Sequence, residues 1–382
     1  MFLVHEVMQL LAIKGVNSVN QISKLSKILN SSLGWNKARA DLLSFFIVAL
    51  LKIRSVNLTK IAVAMPGRAK TESKYKRLQR FFAGFNFSMD SIAKLIVRFL
   101  PINDEIWDLS MDRTNWKLGK LNINPLVLGI VHLGVAFPII WTTFSKRGNS
   151  NMDERIEFIE RFIKIFSADK IKCLFGDREF IGGDWFAFLL KKGIHFIMRI
   201  KENFMITNAR GIPVHAKTLF RDQKVGEYKI LKGKRIVNGQ SVYVVGALLP
   251  SGEYLILATD KNPVTALEDY KKRWGIETLF QCLKGRGFNF EDTHMTFPER
   301  IDKLIALLAI AFSWCHATGE WCHSQKPIKI KKHGRKAVSL FRLGLDHIGR
   351  ILHNISDFYH EFNKNLKIIL GPLISNNSYD TS

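Results

Sequence analysis

Four polar residues at helical spacing stand out in the stretch 270–284, YKKRWGIETLFQCLK. With about 100° of rotation per residue, Tyr270, Arg273, Glu277 and Lys284 fall on one stripe about 60° wide. Ile276, Leu279, Phe280 and Leu283 form the neighbouring face, which must be the buried one. Asn262-Pro263 marks the opening of this helix, and Gly285 and Gly287 mark its end. One carboxylate is thereby held among a phenol, a guanidinium and an ammonium. An ordinary solvated face with an ion pair has the same pattern, so the meaning of the stripe depends on the other acids of the chain.

Two further acids close predicted strands. Asp112 ends 105–112 (EIWDLSMD), and Asp177 follows IKCLF and Gly176. If those strands are neighbours, both aspartates project at one edge of a sheet, and a later helix can carry Glu277 across to them. Three carboxylates gathered without a cation repel one another and acquire raised pKa values. Hard oxygen ligands suit Mg2+ or Mn2+. Two such ions sharing carboxylates activate a water or a 3′-hydroxyl and stabilise the leaving oxygen of a phosphodiester. Each acid has alternatives. Asp112 could form a turn ahead of Arg113-Thr114-Asn115, and Asp108 lies on the same strand face. Glu179 or Asp184 could replace Asp177.

The elements that must position these acids can be read in order. Residues 1–100 are expected to be a helical DNA-binding region. Within it, two helices around Pro66-Gly67 resemble a helix-turn-helix, the second bearing Lys74, Arg77 and Arg80 among other cations and placed for phosphate contact. From Ile102 the order is three strands, a helix (152–166), a strand (171–175), a helix (185–191) and a strand (195–200). That order predicts an α/β fold with a ribonuclease-H-like catalytic core over 101–325. Residues 203–254 read as a β-rich insertion. A strand at 254–259 leads back to the polar stripe, an apolar helix follows Pro298, and 326–382 form a basic helical C-terminal region.

Composition narrows the partners. Lys and Arg number 57 against 33 acids, a net charge of +24, which implies a polyanion: nucleic acid first, an anionic membrane surface second. The four cysteines make no CxxC pair, as expected of reduced thiols in a cytoplasm. Cys315-His316 and Cys322-His323 could ligate zinc, but their apolar surroundings favour small buried residues. The start, MFLVHEVMQLLAIKG, lacks the pattern of a secretory leader. The apolar runs 42–51 and 304–312 are short for a bilayer, and 126–143 is broken by Gly and Pro and reads as two strands joined near Gly134; no membrane partner is expected. No Walker loop or G-x-G-x-x-G occurs, so neither ATP nor a dinucleotide is expected.

Tyr270-x2-Arg273-x3-Glu277-x6-Lys284 matches the Y-R-E-K signature of the bacterial insertion-sequence transposases of family four. Asp112 in MDRTNW resembles that family's first catalytic aspartate, and Asp177 in GDREF its second. The resemblance covers roughly residues 105–320. It implies a DDE transposase whose Asp112, Asp177 and Glu277 hold two divalent ions, Mg2+ or Mn2+. Tyr270, Arg273 and Lys284 would hold the transposon end, and Arg199 and Lys201 resemble further DNA-contacting positions. The implied partners are the terminal inverted repeats and target DNA, with a homodimer in the DNA complex and a bacterial cytoplasmic location at the nucleoid. Related enzymes stack a flipped base on a tryptophan of the insertion; residues 203–254 offer only Phe204, Phe220, Tyr228, Tyr243 and Tyr254. Competing readings are a metal-dependent nuclease of the same fold without strand transfer, and a DNA-binding regulator whose acids are structural.

Overall fold

A computed structural model describes residues 21–102, 105–146, 148–332 and 334–370; expectations for 1–20 and 371–382 fall outside them. The chain divides into two compact units. One spans 104–279, and the other joins the residues before it to those after it.

The first unit is built on strands. They are β1 (Trp107–Arg113), β2 (Trp116–Leu118), β3 (Leu121–His132), β4 (Val135–Phe144), β5 (Ile171–Gly176) and β6 (Phe196–Ile200). Then follow β7 (Met205–Thr207), β8 (Pro213–His215), β9 (Tyr228–Ile230), β10 (Arg235–Val237), β11 (Gln240–Leu248) and β12 (Tyr254–Thr259). The sheet order is β2-β3-β1-β5-β6-β12-β11-β10-β7-β8, with β4 paired to β3 and β9 to β11. Only β1–β5 and β5–β6 run parallel. Parallel neighbours need crossovers, and the helices 152–166 and 183–191 lie in the chain where these are required. The central strands are close to continuous apolar runs, with Leu109, Met111, Leu174, Phe175, Phe196 and Met198 fully buried, as strands covered on both faces must be.

The predicted meander of β1, β3 and β4 is present. Its hairpin turns at Leu133-Gly134, with φ of 47° and 79°, the paired positive values a type I′ turn requires. The segment expected as a plain turn after Asp112 contains the short strand β2, paired to β3. Strands β7–β11 all fall within 203–254. The insertion does not stand apart from the sheet: β11 pairs with β12 over six positions and β12 with β6, so it extends the sheet outward.

The second unit is helical. Residues 21–33 form α1, followed by α2 (Lys37–Ile53), α3 (Leu58–Ala64), α4 (Thr71–Gly84) and α5 (Met89–Arg98). In the first unit come α6 (Met152–Phe166), α7 (Gly183–Lys191), α8 (Ala266–Tyr270) and the start of α9 (Trp274–Leu283), within which the division falls. After α9 the helical unit resumes with α10 (Pro298–Gln325), α11 (Leu340–His353) and α12 (Tyr359–Ile369). The sequence places 298–325 with the catalytic core, but the compact units change at 279/280 and α10 groups with the helical ends. By length and composition α10 could cross a membrane. Instead it is the core helix of its unit, buried from Leu304 through Cys315. The paired Cys–His residues lie on or beside this buried helix, and His316 is ion-paired to Glu320. Among the described residues no group of three or more His, Cys, Asp or Glu side chains is arranged to hold a metal.

Helices α10 and α11 cross at glycines. A Cβ on Gly344 would overlap the Cys315 carbonyl oxygen, and one on Gly319 the Leu340 carbonyl oxygen. Backbone cannot retreat as a flexible side chain can. Gly344→Ala should therefore destabilise the fold by about 2–3 kcal/mol or more, against a few tenths for Ala substitution at the exposed Ser324. Urea denaturation of both variants measures this, and equal midpoints would show that the crossing is loose.

Candidate functional site

Asp112 and Asp177 come together through strand register. Ser110 pairs with Phe175 and Met111 with Gly176 in the parallel β1–β5 ladder. Asp112 and Asp177 are the next position on each chain, side by side where the two strands end. The Asp177 carboxylate accepts from the Arg178 amide at 2.7 Å, and its carbonyl accepts from the Phe180 amide at 2.9 Å, so a tight turn holds it. Gly176 has no room for a side chain, since a Cβ there would lie 2.5 Å from the Met198 sulfur.

The stretch carrying Glu277 departs from the uniform helix expected over 270–284. Its N-cap is Thr265 and not Asn262 or Pro263; Asn262 instead adopts φ 50° in the preceding turn. Helix α8 ends at Tyr270, a 3-10 turn covers Lys271–Arg273, and α9 begins at Trp274. The turn is fastened to the sheet, with the Ser110 hydroxyl donating to the Arg273 carbonyl at 3.2 Å. The Tyr270 hydroxyl donates to the Gly176 carbonyl at 3.3 Å, and its ring joins the core of Cys173, Phe175, Ile197, Val245 and Leu257. Gly275 sits against the β3–β4 hairpin, where a Cβ would meet Val135 and Ala136 backbone at 3.1 and 3.2 Å.

Arg273 joins the acids. Its Nη1 lies 3.4 Å from Asp112 Oδ2 and its Nη2 2.6 Å from Glu277 Oε1. The Arg273 side chain is 5% exposed, against 17% for Asp112 and 34% for Glu277. Its guanidinium also lies 5.6 Å from the Tyr270 ring centre and 5.3 Å from that of Trp274. Burial works against the Arg273 charge, yet Tyr270, Glu277 and Asp112 hold its pKa above the ordinary value. Burial also pushes Asp112 up to about 7, helped by the negative charges of Glu179 and Asp177 and opposed by the Arg113 amide and Arg273. Burial likewise raises the Tyr270 phenol.

The alternative acids are engaged elsewhere. Asp108 pairs with Lys272 at 2.8 Å and Lys172 at 3.9 Å. Glu179 takes a bidentate pair from Arg113, both contacts at 2.6 Å. Asp184 sits in the first turn of α7. Asp112, Asp177 and Glu277 all carry hard oxygens, but among the described residues they do not form a group placed to hold a metal ion. Arg273 supplies positive charge to two of them.

The cations assigned to DNA separate into two groups. Arg199 pairs with Glu253 at 2.6 Å, and Lys284, in the helical unit, pairs with Glu291 at 2.7 Å. Lys74 is buried, its ammonium donates to the Met65 carbonyl at 2.6 Å, and burial lowers its pKa, so it is less accessible than its basic neighbours on α4. Among the described residues Arg77, Arg80 and Lys201 show no side-chain ion pair or hydrogen bond. Sequence reasoning passed over Trp274, whose indole is 62% exposed beside Arg273; a large aromatic adjoining the polar stripe was the available signal. Of the aromatics in the insertion, Phe220 is fully buried and Tyr228 is 58% exposed.

The sequence model of a family described as "Transposase DDE domain" matches residues 144–314, which supports a DDE transposase domain in this chain. The match contains Asp177 and Glu277 and begins after Asp112. No curated protein matches. A cryo-EM structure of the piggyBac transposase synaptic complex with hairpin DNA aligns over 96% of this chain and 87% of that one, at 12% identity and a TM-score of 0.43; likeness of that degree decides neither fold nor function.

The Asp112 environment sets a pH dependence. Between about pH 4 and 7 the folded chain keeps a proton on Asp112 that the unfolded chain has released, so stability falls as pH rises through that window. Asp112→Asn keeps the neutral shape. In chelator-containing buffer its stability relative to wild type should climb across this window, by up to about 4 kcal/mol at pH 8. Urea melts at pH 4, 5.5, 7 and 8 measure the difference. A pH-independent difference would mean that Asp112 is charged throughout.

Proposed function

We propose that this chain is a DDE transposase of an insertion sequence, cutting and joining DNA through a metal site formed by Asp112, Asp177 and Glu277. The observation that carries the reading is the convergence of elements: two aspartates on adjacent strand ends, and a glutamate tied to the first of them through Arg273. The transposase family match over 144–314 supports it, and the Y-R-E-K spacing supports family four. The order β4-β3-β1-β5-β6, with β3 antiparallel to β1, supports a ribonuclease-H-like core.

In this reading the three acids hold Mg2+ or Mn2+, two ions in all, which when bound polarise the phosphodiester and activate the attacking hydroxyl. The other residues arrange the acids. Arg273 compensates their charge and orients Asp112 and Glu277. Tyr270 anchors the Gly176 carbonyl and so the backbone entering Asp177. Trp274 offers an exposed aromatic face where the insertion has no tryptophan, and it takes the stacking role. Phosphates are met first by the unpaired cations Arg77, Arg80 and Lys201, while Arg273, Lys284 and Arg199 need to release protein carboxylates to do so. The partners are transposon-end and target DNA, with a homodimer in the complex, in a bacterial nucleoid.

Glu277→Gln should abolish Mg2+-dependent cutting of transposon-end DNA, a loss of at least about 1,000-fold, with end binding kept within about threefold of wild type. Gel assays of nicking and strand transfer alongside binding isotherms read both. Wild-type cutting by the variant would remove the acid triad from the chemistry, and cutting without joining by the wild type would leave a nuclease.

A further inference from the structure

The helical unit contains a cavity of about 340 Å³ between α3, α4 and the segment that enters α10. Its volume lies in the lower part of the roughly 300–1,000 Å³ typical of small-ligand pockets. Its lining includes the apolar Leu58, Phe82 and Met295 and the aromatic Tyr75, together with Arg80, Arg300 and His294. No carboxylate lines it. Asp292, near His294, is outside the lining and is held by Ser55 and Lys60. Arg80 is exposed with no described partner, and Arg300 lies 4.5 Å from the Phe297 ring centre. The cavity therefore joins an aromatic and aliphatic surface to two arginines whose charge no acid of the lining balances.

We propose that this cavity receives one unpaired nucleotide of a DNA strand, with its base on the Tyr75 and Met295 side and its phosphate at Arg80 and Arg300. The proposal rests on the reading that the chain acts on DNA, and it adds where and in what form a strand is held. The shape argues for an unpaired nucleotide. Phosphates of an intact duplex project from a convex surface and need a basic face, whereas a concave site with aromatic and apolar lining rewards a base taken out of its stack. The chemistry argues for a strand over a free nucleoside polyphosphate. Two arginines suit a single phosphodiester charge, no glycine-rich phosphate loop is present, and the net charge of +24 favours a polymer.

The test uses the full chain in EDTA, so that cutting does not intervene, and reads fluorescence anisotropy across a salt series. The probes are a single-stranded oligomer, the same oligomer with abasic sites, and a blunt duplex. Two variants divide the contributions: Arg80→Gln with Arg300→Gln removes the charges, and Ala83→Phe, at an exposed lining residue, fills the cavity. Thermal melts confirm that both fold. The double variant should weaken single-strand binding at least tenfold and reduce the salt slope by about 0.7, the loss of one phosphate contact. Ala83→Phe should weaken it roughly 5- to 100-fold with no change in slope, and should leave the blunt duplex and the abasic oligomer unaffected. Equal losses on the blunt duplex would overturn the proposal in favour of a duplex-tracking surface. Displacement of the oligomer by dTMP or ATP at stoichiometric concentration would overturn it in favour of a free nucleotide. Unchanged single-strand affinity in both variants would remove the cavity from DNA binding altogether. If the wild type binds and cuts transposon ends while the fill variant is silent, this proposal alone fails; if the wild type neither binds nor cuts them, the transposase reading fails with it.

Discussion

The guanidinium of Arg273, buried between Asp112 and Glu277, is the contact on which the site depends. Without it, the Asp112 and Glu277 carboxylates of β1 and α9 would lose the guanidinium they share, leaving Asp112 its bond from the Arg113 amide. Repulsion between carboxylates is relieved by protonation, by a cation, or by moving the elements apart. Arg273 provides the cation from within the chain and so lets the elements stay together. Breaking such a pair by removing one partner costs about 3–5 kcal/mol, enough to decide where α9 rests against the sheet. The charge balance is incomplete, because Asp112 still takes a proton near neutrality. Burial is the main reason, with the charges of Glu179 and Asp177 adding to it.

The backbone explains how a guanidinium reaches that position. A continuous helix from Tyr270 would place Arg273 on the same stripe as Glu277 but say nothing of Asp112. The 3-10 turn at Lys271–Arg273 is tighter than the α-helix on either side, and the Ser110 bond to its last carbonyl draws it onto β1. Lys272 turns the other way, to Asp108. Two successive cations thus serve two acids on one strand. Asp108 and Asp112, alternatives from spacing alone, receive different partners, an ammonium and a guanidinium. Gly275 then allows α9 to approach the hairpin backbone, and Gly176 allows Met198 and Phe180 to close over the strand end.

Much of this was legible in the sequence because periodicity reports burial. The strand ends at Asp112 and Gly176, the helix over 152–166 and the β-rich character of 203–254 follow from apolar spacing and turn residues. What periodicity does not report is which polar group meets which. Lys74 and Arg77 belong to one basic run, yet one is buried on a carbonyl and the other is partly exposed; only the packing of α3 against α4 distinguishes them. The stripe of Tyr270, Arg273 and Glu277 looks the same whether it faces water or a neighbouring strand. Strand β2 was missed because three residues are too few for alternation to register. An apolar helix such as α10 shows in sequence that it is buried, not what buries it; in the structure it groups with the helical ends.

The division of positive charge follows from the same physics. In the sheet-based unit several cations are matched to acids: Arg273 to Asp112 and Glu277, Lys272 to Asp108, Arg113 to Glu179, Arg199 to Glu253. Such pairs fix geometry but contribute little net field at a distance, since each positive charge carries its own neutraliser. A chain with 57 cations and 33 acids must place its excess elsewhere. The helical unit has it in exposed form, at Arg68, Lys70, Lys76 and Arg80 around α4 and at Lys326, Lys329, Lys331, Lys332 and Lys336 before α11. Unmatched, solvated cations are the ones that attract a polyanion over a Debye length and release its counterions on contact. Paired, buried cations are the ones that hold carboxylates to a fixed geometry. Here the two kinds are separated along the chain: the exposed cations able to attract a polyanion are not those that align the acids.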